Sequence, residues 1–512
     1  MTARRPGSDV SRRDILKGGL AAGVGASLVG SRTAVGAATP KSGGTLRIGT
    51  LQDVKSLNPL NQAGYPDVMV FPVAEGLVRI GAGNKVEPLL AERWEIPNPL
   101  TYVFHLRSGV HFHNGHELTA EDVVSTYEFV LSKDFTGAVI SSAIQPVAQV
   151  EAVDARTVRM KLKYPFGPIM YVAHSVRILA KDAWAQAEHH PIGTGPFRFG
   201  EWVPKDHLRL GKFDQYWQKG LPRLDAVVYR IIPDPQSGYL SFKAGDLDVA
   251  LHDIMGPDNL LDARRVGKAQ LIGPDIDPRF DLIYLDCAHP PTSDVRVRQA
   301  VAHLVDRDVM AKVVYEGLYP PAHTLFPPGH WAHSPQIRQL PYDPNRAKQL
   351  FDAAGVKELV FTTWTSRPQM KQTAEIIQEE AGKIGVTIKV EALEPAKFLA
   401  KASGTNKTFH MANSTSRRDY DPWFYLIYFM PPNDSNYDNP RLTELMKKQA
   451  GLSRVEERKT VLDEVQRIAV QDVPQILVVY GRTLYAAQPF VQEFQVPFRG
   501  NEYELTQTWL DR

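Results

Sequence analysis

Between residues 343 and 393 the apolar positions change period twice, and each change marks an element. Asp343-Pro344 predicts a helix start, with Ala347, Leu350, Phe351 and Ala354 on one face and Gly355 as its stop. A strand is predicted at Leu359–Trp364. Ala374, Ile377, Ala381 and Ile384 then form the buried stripe of a second helix ended by Gly385, and Val386, Ile388 and Val390 point one way along another strand. Strand, helix and strand in that order predict a parallel pair joined by a right-handed crossover. A further helix carrying Val461, Leu462, Val465 and Ile468 precedes a strand at Ile476–Tyr480, so the region from about 285 to 484 reads as an α/β lobe.

The first half alternates more often with period two. Thr45-Leu46-Arg47-Ile48-Gly49 predicts a strand leading into a loop with Leu57-Asn58-Pro59-Leu60, and Tyr102–Leu106 predicts another before a turn at Asn114-Gly115. Thr119 opens a helix, with the Asp122 carboxylate three residues on placed to satisfy backbone donors at its start. Residues 147–163 read as a strand pair broken near Asp154. No internal repeat is found.

The N-terminus changes the picture. Ser11-Arg12-Arg13-Asp14-Ile15-Leu16-Lys17 is followed by a 13-residue uncharged stretch, Gly18–Gly30, and then by small residues through Ala38. Basic start, apolar middle and small-residue exit predict a twin-arginine export signal over residues 1–38 with cleavage after Ala38; a spanning helix needs about 20 apolar residues. The segment holds six basic and two acidic side chains, a surplus of four, so the formal charge of +2 for the whole chain becomes −2 for the rest. A nearly neutral surface without long Lys/Arg runs argues against nucleic acid as a partner. Cys287 is the single cysteine, which excludes an intramolecular disulfide and, lying far from Ala38, a lipid anchor at the cleavage point. The expectation is a soluble monomer in the periplasm. Its length exceeds what one core usually serves, so two or three domains are expected.

Several stretches in order resemble one family. Tyr102–Val130 reads YVFHLRSGVHFHNGHELTAEDVVSTYEFV, followed by GTGPF at Gly193–Phe197, FDQYW at Phe213–Trp217, AGDLDV at Ala244–Val249 and DVRVRQAVAHLVDRDVM at Asp294–Met310. Together they resemble family 5 of the bacterial extracellular solute-binding proteins, which serve ABC importers. The resemblance implies an α/β, two-lobed periplasmic binding protein of type II with an extra subdomain in the first lobe. Its expected boundaries are 39–281 for the first lobe, with the subdomain at about 84–188, 282–484 for the second, and 485–512 for a return to the first. Ligand touching both lobes only when they close favours the closed state, which permease subunits in the inner membrane recognise.

The resemblance also points to a site. A peptide carries opposite charges at its ends, so a pocket reading it needs a carboxylate and an arginine, whose planar fork makes two charge-assisted bonds. In the family's dipeptide binders an Arg-Pro pair after a second-lobe strand holds the ligand carboxylate, and Arg367-Pro368 matches it after Thr363-Trp364. Those binders also have a Trp-x-x-Asp element, the Asp holding the ligand ammonium, followed closely by Asp-Pro. Here the loop Asn413–Trp423, NSTSRRDYDPW, keeps Asp421-Pro422 but lacks that tryptophan, and the carboxylate position aligns with Arg418 or Asp419. Asp419 facing the cleft suits an amine-bearing ligand; Arg418 there suits one with an additional acid group. Trp364, Tyr420 and Trp423 are candidate apolar walls, and Tyr65 is the first-lobe candidate.

Rival chemistries find less in the sequence. His111, His113 and His116 are spaced closely enough to suggest zinc, yet they fall inside the signature strand and turn, where exposed loop histidines are the simpler reading. A nickel or metal-chelate binder of the same family is the alternative ligand class. An exported hydrolase is the alternative from another class, but no His-Glu-x-x-His, Gly-x-Ser-x-Gly or phosphate-loop pattern occurs, and Asp246 and Asp248 sit in the AGDLDV turn that the family uses structurally. No catalytic residue, resident metal or cofactor is expected.

Overall fold

A computed structural model describes residues 39–512 apart from 62–64, 82–84, 136, 268, 275–278, 403–406, 408, 418–420 and 497–503. The export signal predicted over residues 1–38 lies outside these. From Lys41 onwards the chain coheres as one body.

Two large sheets organise it. The first lobe's sheet has seven strands in the spatial order Gln270–Ile272, Tyr485–Ala487, Val249–Ala250, Thr45–Thr50, Ala226–Ile231, His207–Lys212 and Phe197–Val203. Thr45–Thr50 runs parallel to both neighbours, and its Leu46 and Ile48 are fully buried, as a strand in the middle of a covered sheet requires. The chain's last residues return here: Val491, Phe494, Leu505 and Leu510 join the same apolar cluster as Leu46 and Ile48. Asp248, fully buried, takes Nη2 of Arg47 at 2.7 Å and Nη2 of Arg512 at 3.1 Å, so one AGDLDV carboxylate ties both ends of this lobe together.

A four-stranded antiparallel sheet, Ala91–Asn98, Thr101–Leu106, Thr157–Leu162 and Val147–Asp154, stands beside it with its own core around Tyr102, Phe104, Phe112 and Tyr127. The strict alternation of Thr101–Leu106 places every second side chain in that core. The helix Ala120–Leu131 starts as predicted: Asp122 Oδ2 accepts from Thr119 N at 3.0 Å and from Thr119 Oγ1 at 2.7 Å.

The second lobe's sheet has the order Thr387–Leu393, Glu358–Trp364, Met411–Arg417, Arg279–Leu285 and Gln475–Tyr480. The predicted strand–helix–strand unit is present, with Glu358–Trp364 parallel to Thr387–Leu393 and the helix Pro368–Lys383 between them. The preceding helix, Pro344–Ala354, buries Ala347, Leu350 and Phe351; side chains like the last two contribute about 1.5–3 kcal/mol each. It stops where Gly355 takes φ +67°, open to glycine and strained for other residues.

The chain leaves the first sheet after Ile272, enters the second at Arg279, and returns between Tyr480 and Tyr485. The two crossings run side by side, since Gly481 N donates to Arg279 O at 2.7 Å. One apolar cluster continues through them, from Leu247 and Ile254 past Leu484 and Ala486 to Ile476 and Ile283.

Candidate functional site

The end of the strand Glu358–Trp364 is fastened by one residue of its neighbour. Asn413, buried, accepts from Thr363 Oγ1 at 2.9 Å, donates Nδ2 to Met370 O at 2.7 Å, and offers its backbone oxygen to Trp364 Nε1 at 2.9 Å. Strand end, neighbouring strand and the following helix are thereby locked as a unit. Trp364 is buried and stacks on Phe398 with ring centroids 4.0 Å apart. On the indole lies the Arg367 guanidinium, its Cζ 4.7 Å from the ring centroid. A cation over an indole face is attracted by the ring quadrupole, more so when partly desolvated.

Arg367 is half-buried at the start of the helix Pro368–Lys383. Burial holds its pKa below the usual arginine value; nearby Asp281 opposes that shift and Arg279 adds to it. Asp281 is occupied otherwise, accepting from Tyr315 Oη at 2.6 Å and Thr415 Oγ1 at 2.7 Å. Among the described residues no carboxylate lies within ion-pair distance of Arg367. Chemically this is a bidentate donor held on a ring, with no counter-charge among the described residues.

Asp421 is placed differently. It caps the helix Pro422–Leu426 by accepting from Trp423 N at 2.9 Å, and its two oxygens take Nη1 and Nη2 of Arg458, each at 2.6 Å. Gln449 Oε1 accepts from the same guanidinium at 2.7 Å, and Trp331 lies under it at 5.2 Å. Asp421 thus belongs to a closed network.

Trp423 and Phe424 lie in a seam between the lobes. Trp423 meets Phe166 edge-on at 5.9 Å, and Phe424 packs on Tyr171 at 4.9 Å, both partners lying just beyond the four-stranded sheet. Gly167 N donates to Ala450 O at 2.6 Å, and a Cβ at Gly167 would stand 2.1 Å from Leu452 O. Only glycine permits this approach.

Of the residues singled out by sequence, Arg367 and Trp364 are therefore in direct contact, and Trp423 sits in the seam. Tyr65 begins the short 3-10 helix Tyr65–Val73. Arg418, Asp419 and Tyr420 lie outside the described residues. Asn413, Phe398 and Asp281 complete the surroundings of Arg367 and were not singled out. The stretch NSTSRRDYDPW, expected as a loop, begins inside the strand Met411–Arg417, whose pairing with Arg279–Leu285 extends it to Arg417; a polar residue at a buried strand position is the one signal that pointed to Asn413. The three clustered histidines diverge: His113 Nε2 lies 2.9 Å from Gly195 O, His116 Nε2 lies 3.4 Å from Asp122 Oδ2, and His111 pairs through its backbone with Glu117.

Residues 85–437 match the bacterial extracellular solute-binding proteins, family 5 Middle. The dipeptide-binding protein of Escherichia coli is 29% identical over 412 residues, 72% of this chain and 76% of that protein. Heme-binding protein A of Haemophilus influenzae is 28% identical over 457 residues, 81% of this chain and 82% of that protein. Among solved structures, HbpA2 of Haemophilus parasuis superposes with a TM-score of 0.81 at 25% identity, covering 92% of this chain and 100% of the other. Two lobes, a paired crossing between them and a family match over most of the length agree: the chain belongs to family 5 of the bacterial extracellular solute-binding proteins, a family of ABC-transporter binding proteins and not of enzymes.

Proposed function

We propose that this protein is the periplasmic binding component of an ABC importer that takes a dipeptide, an oligopeptide or a peptide-like amino-acid derivative between its lobes, with Arg367 holding the ligand's carboxylate. The observation that carries the reading is the half-buried guanidinium on the Trp364 ring with no carboxylate partner among the described residues. A partly desolvated cation aimed by its platform gains most from an anion supplied by the ligand. The relative named for dipeptides supports the peptide class. Arg418 and Asp419 are the residues proposed to set whether the ligand's other end is acidic or basic, with Tyr420 and Tyr65 as further walls. The twin-arginine pattern in residues 1–38 supports delivery to the periplasm, where inner-membrane permease subunits are the proposed partners.

The relative named for heme carries a second reading, since heme also bears carboxylates. Native mass spectrometry of protein expressed in a periplasm, followed by a thermal-shift panel of peptides, opines, heme and nickel chelates, separates the classes, because a ligand of the folded state raises the apparent midpoint. Calorimetry then assigns the anchor. Arg367→Ala weakens a carboxylate ligand by about 2–5 kcal/mol, and unchanged affinity removes Arg367 from the site.

A further inference from the structure

The first lobe carries a second concavity, on its own sheet. A cavity of about 300 Å³ lies against the hairpin formed by Phe197–Val203 and His207–Lys212, with His113 and His190 on its rim. Antiparallel pairing sets Arg198 opposite Gly211, so Arg209, two residues before Gly211, shares their face of the sheet. The two glycines leave that face bare, and the Arg209 side chain occupies the room: its Nη1 lies 3.6 Å from where a Gly200 Cβ would be and 4.0 Å from a Gly211 Cβ. His190 meets Phe199 edge-on at 5.2 Å, and both rings line the cavity, Phe199 from the core side of the edge strand.

The charge leans positive. Among the described residues neither Arg198 nor Arg209 has a carboxylate within ion-pair distance, though one cross-strand neighbour of Arg209 is acidic. Glu201, opposite Arg209 in the ladder, lies 3.4 Å from His207 Nε2. Glu188 takes Ser56 Oγ at 2.5 Å and Asn58 Nδ2 at 3.2 Å. Half-buried His113 has its pKa pushed down to about 4, mainly by desolvation, with Arg198 and His190 adding to the shift and the hydrogen bond to Gly195 O opposing it.

We infer that this cavity is an oxyanion site, independent of the ligand held at Arg367, which takes a phosphate or phosphomonoester between Arg198 and Arg209 with any planar substituent against His190 and Phe199. Two unneutralised guanidiniums match a dianion better than a monocarboxylate, and the guanidinium fork suits phosphate oxygens. Both arginines are exposed, so millimolar rather than nanomolar affinity is expected.

The test uses the whole protein and three probes: inorganic phosphate, phenyl phosphate and benzoate. Titration to roughly 10 mM, followed by nitrogen NMR of the His113 and His190 rings, is expected to give saturable shifts with both phosphates and weaker ones with benzoate. Arg198→Gln with Arg209→Gln is expected to lower phosphate affinity on the order of tenfold or more while the thermal midpoint and the binding of the Arg367 ligand stay as in the parent. Shifts that never saturate, an unchanged phosphate affinity in the double variant, or a benzoate affinity equal to that of phenyl phosphate each overturn the assignment. Because the ring signals are read in the parent protein, the result stands even if the double variant folds poorly.

Discussion

Arg367 and Arg458 are the same device used for opposite ends. Each guanidinium lies over an indole, Trp364 at 4.7 Å and Trp331 at 5.2 Å, and each sits in the second lobe. Arg458 is 4% exposed and its fork is filled by Asp421 and Gln449. Arg367 is half-buried, and no carboxylate among the described residues fills its fork. Where the fold supplies the counter-charge, the arginine holds the fold together. Where it does not, the valence is, in the proposed function, left for a ligand. The difference lies in the surroundings and not in the residue.

The comparison breaks most visibly on stability. Arg458→Ala leaves Asp421, its side chain 13% exposed, with a largely desolvated and uncompensated charge and is expected to lower unfolding stability by about 3 kcal/mol in a denaturant titration. Arg367→Ala removes no partner's compensation in the unliganded protein, so its stability is expected to change by less than about 1 kcal/mol. Equal losses in the two variants contradict the distinction.

A smaller effect is expected at the seam. Gly167→Ala places a methyl 2.1 Å from Leu452 O, a backbone atom that cannot turn aside. The contact lies where the lobes meet, with Phe166 and Ala450 in one apolar cluster and Leu452 against another, so the substitution is expected to favour the open arrangement and weaken ligand by about 1–3 kcal/mol, more than it lowers stability. Calorimetry beside denaturation separates the two quantities; equal losses in both identify Gly167 as part of a static core.

A different kind of effect is a slope with pH. Glu75 is buried, accepting from Tyr216 Oη at 2.8 Å and Thr194 Oγ1 at 2.9 Å, and burial pushes its pKa up to about 7 against those donors. From the ordinary carboxylate value of 4.5 up to about 7 the folded state keeps a proton that the unfolded chain has lost, so this group's stability contribution falls as pH rises through that window. His113, pushed down to about 4, gives the opposite slope between there and its ordinary 6.5. Midpoints of the parent and Glu75→Gln from about pH 5 to about pH 8 isolate the first term; the parent is expected to lose ground to the variant, and parallel profiles contradict it.

The sequence made the regular elements legible because their cause is local. The helix Pro344–Ala354 carries its start, its stripe and its stop within a dozen residues, and the parallel strand pair follows from what stands between the strands. Asp421-Pro422 shows where that logic stops. By resemblance it belongs to the ligand loop, yet Asp-Pro or Asn-Pro also opens the helices Pro235–Ala244, Pro344–Ala354 and Pro440–Ala450, with Asp234, Asp343 and Asn439 accepting from backbone N–H groups as Asp421 does. The recurrence was there to be read as capping. That Asp421 also takes Arg458, 37 residues away, follows from how two helices pack, which no spacing encodes. The stacking of Trp364 on Phe398 and the contact of Gly167 with Leu452 are hidden for the same reason: each joins segments that only the folded chain brings together.

Small-angle scattering during titration with the ligand found by mass spectrometry tests the clamp most directly. The radius of gyration is expected to contract as the site fills and to saturate at one ligand per chain, with Arg367→Ala moving the curve to higher concentration. A radius that stays constant through saturation, or no compound retained from the whole panel, contradicts capture between closing lobes.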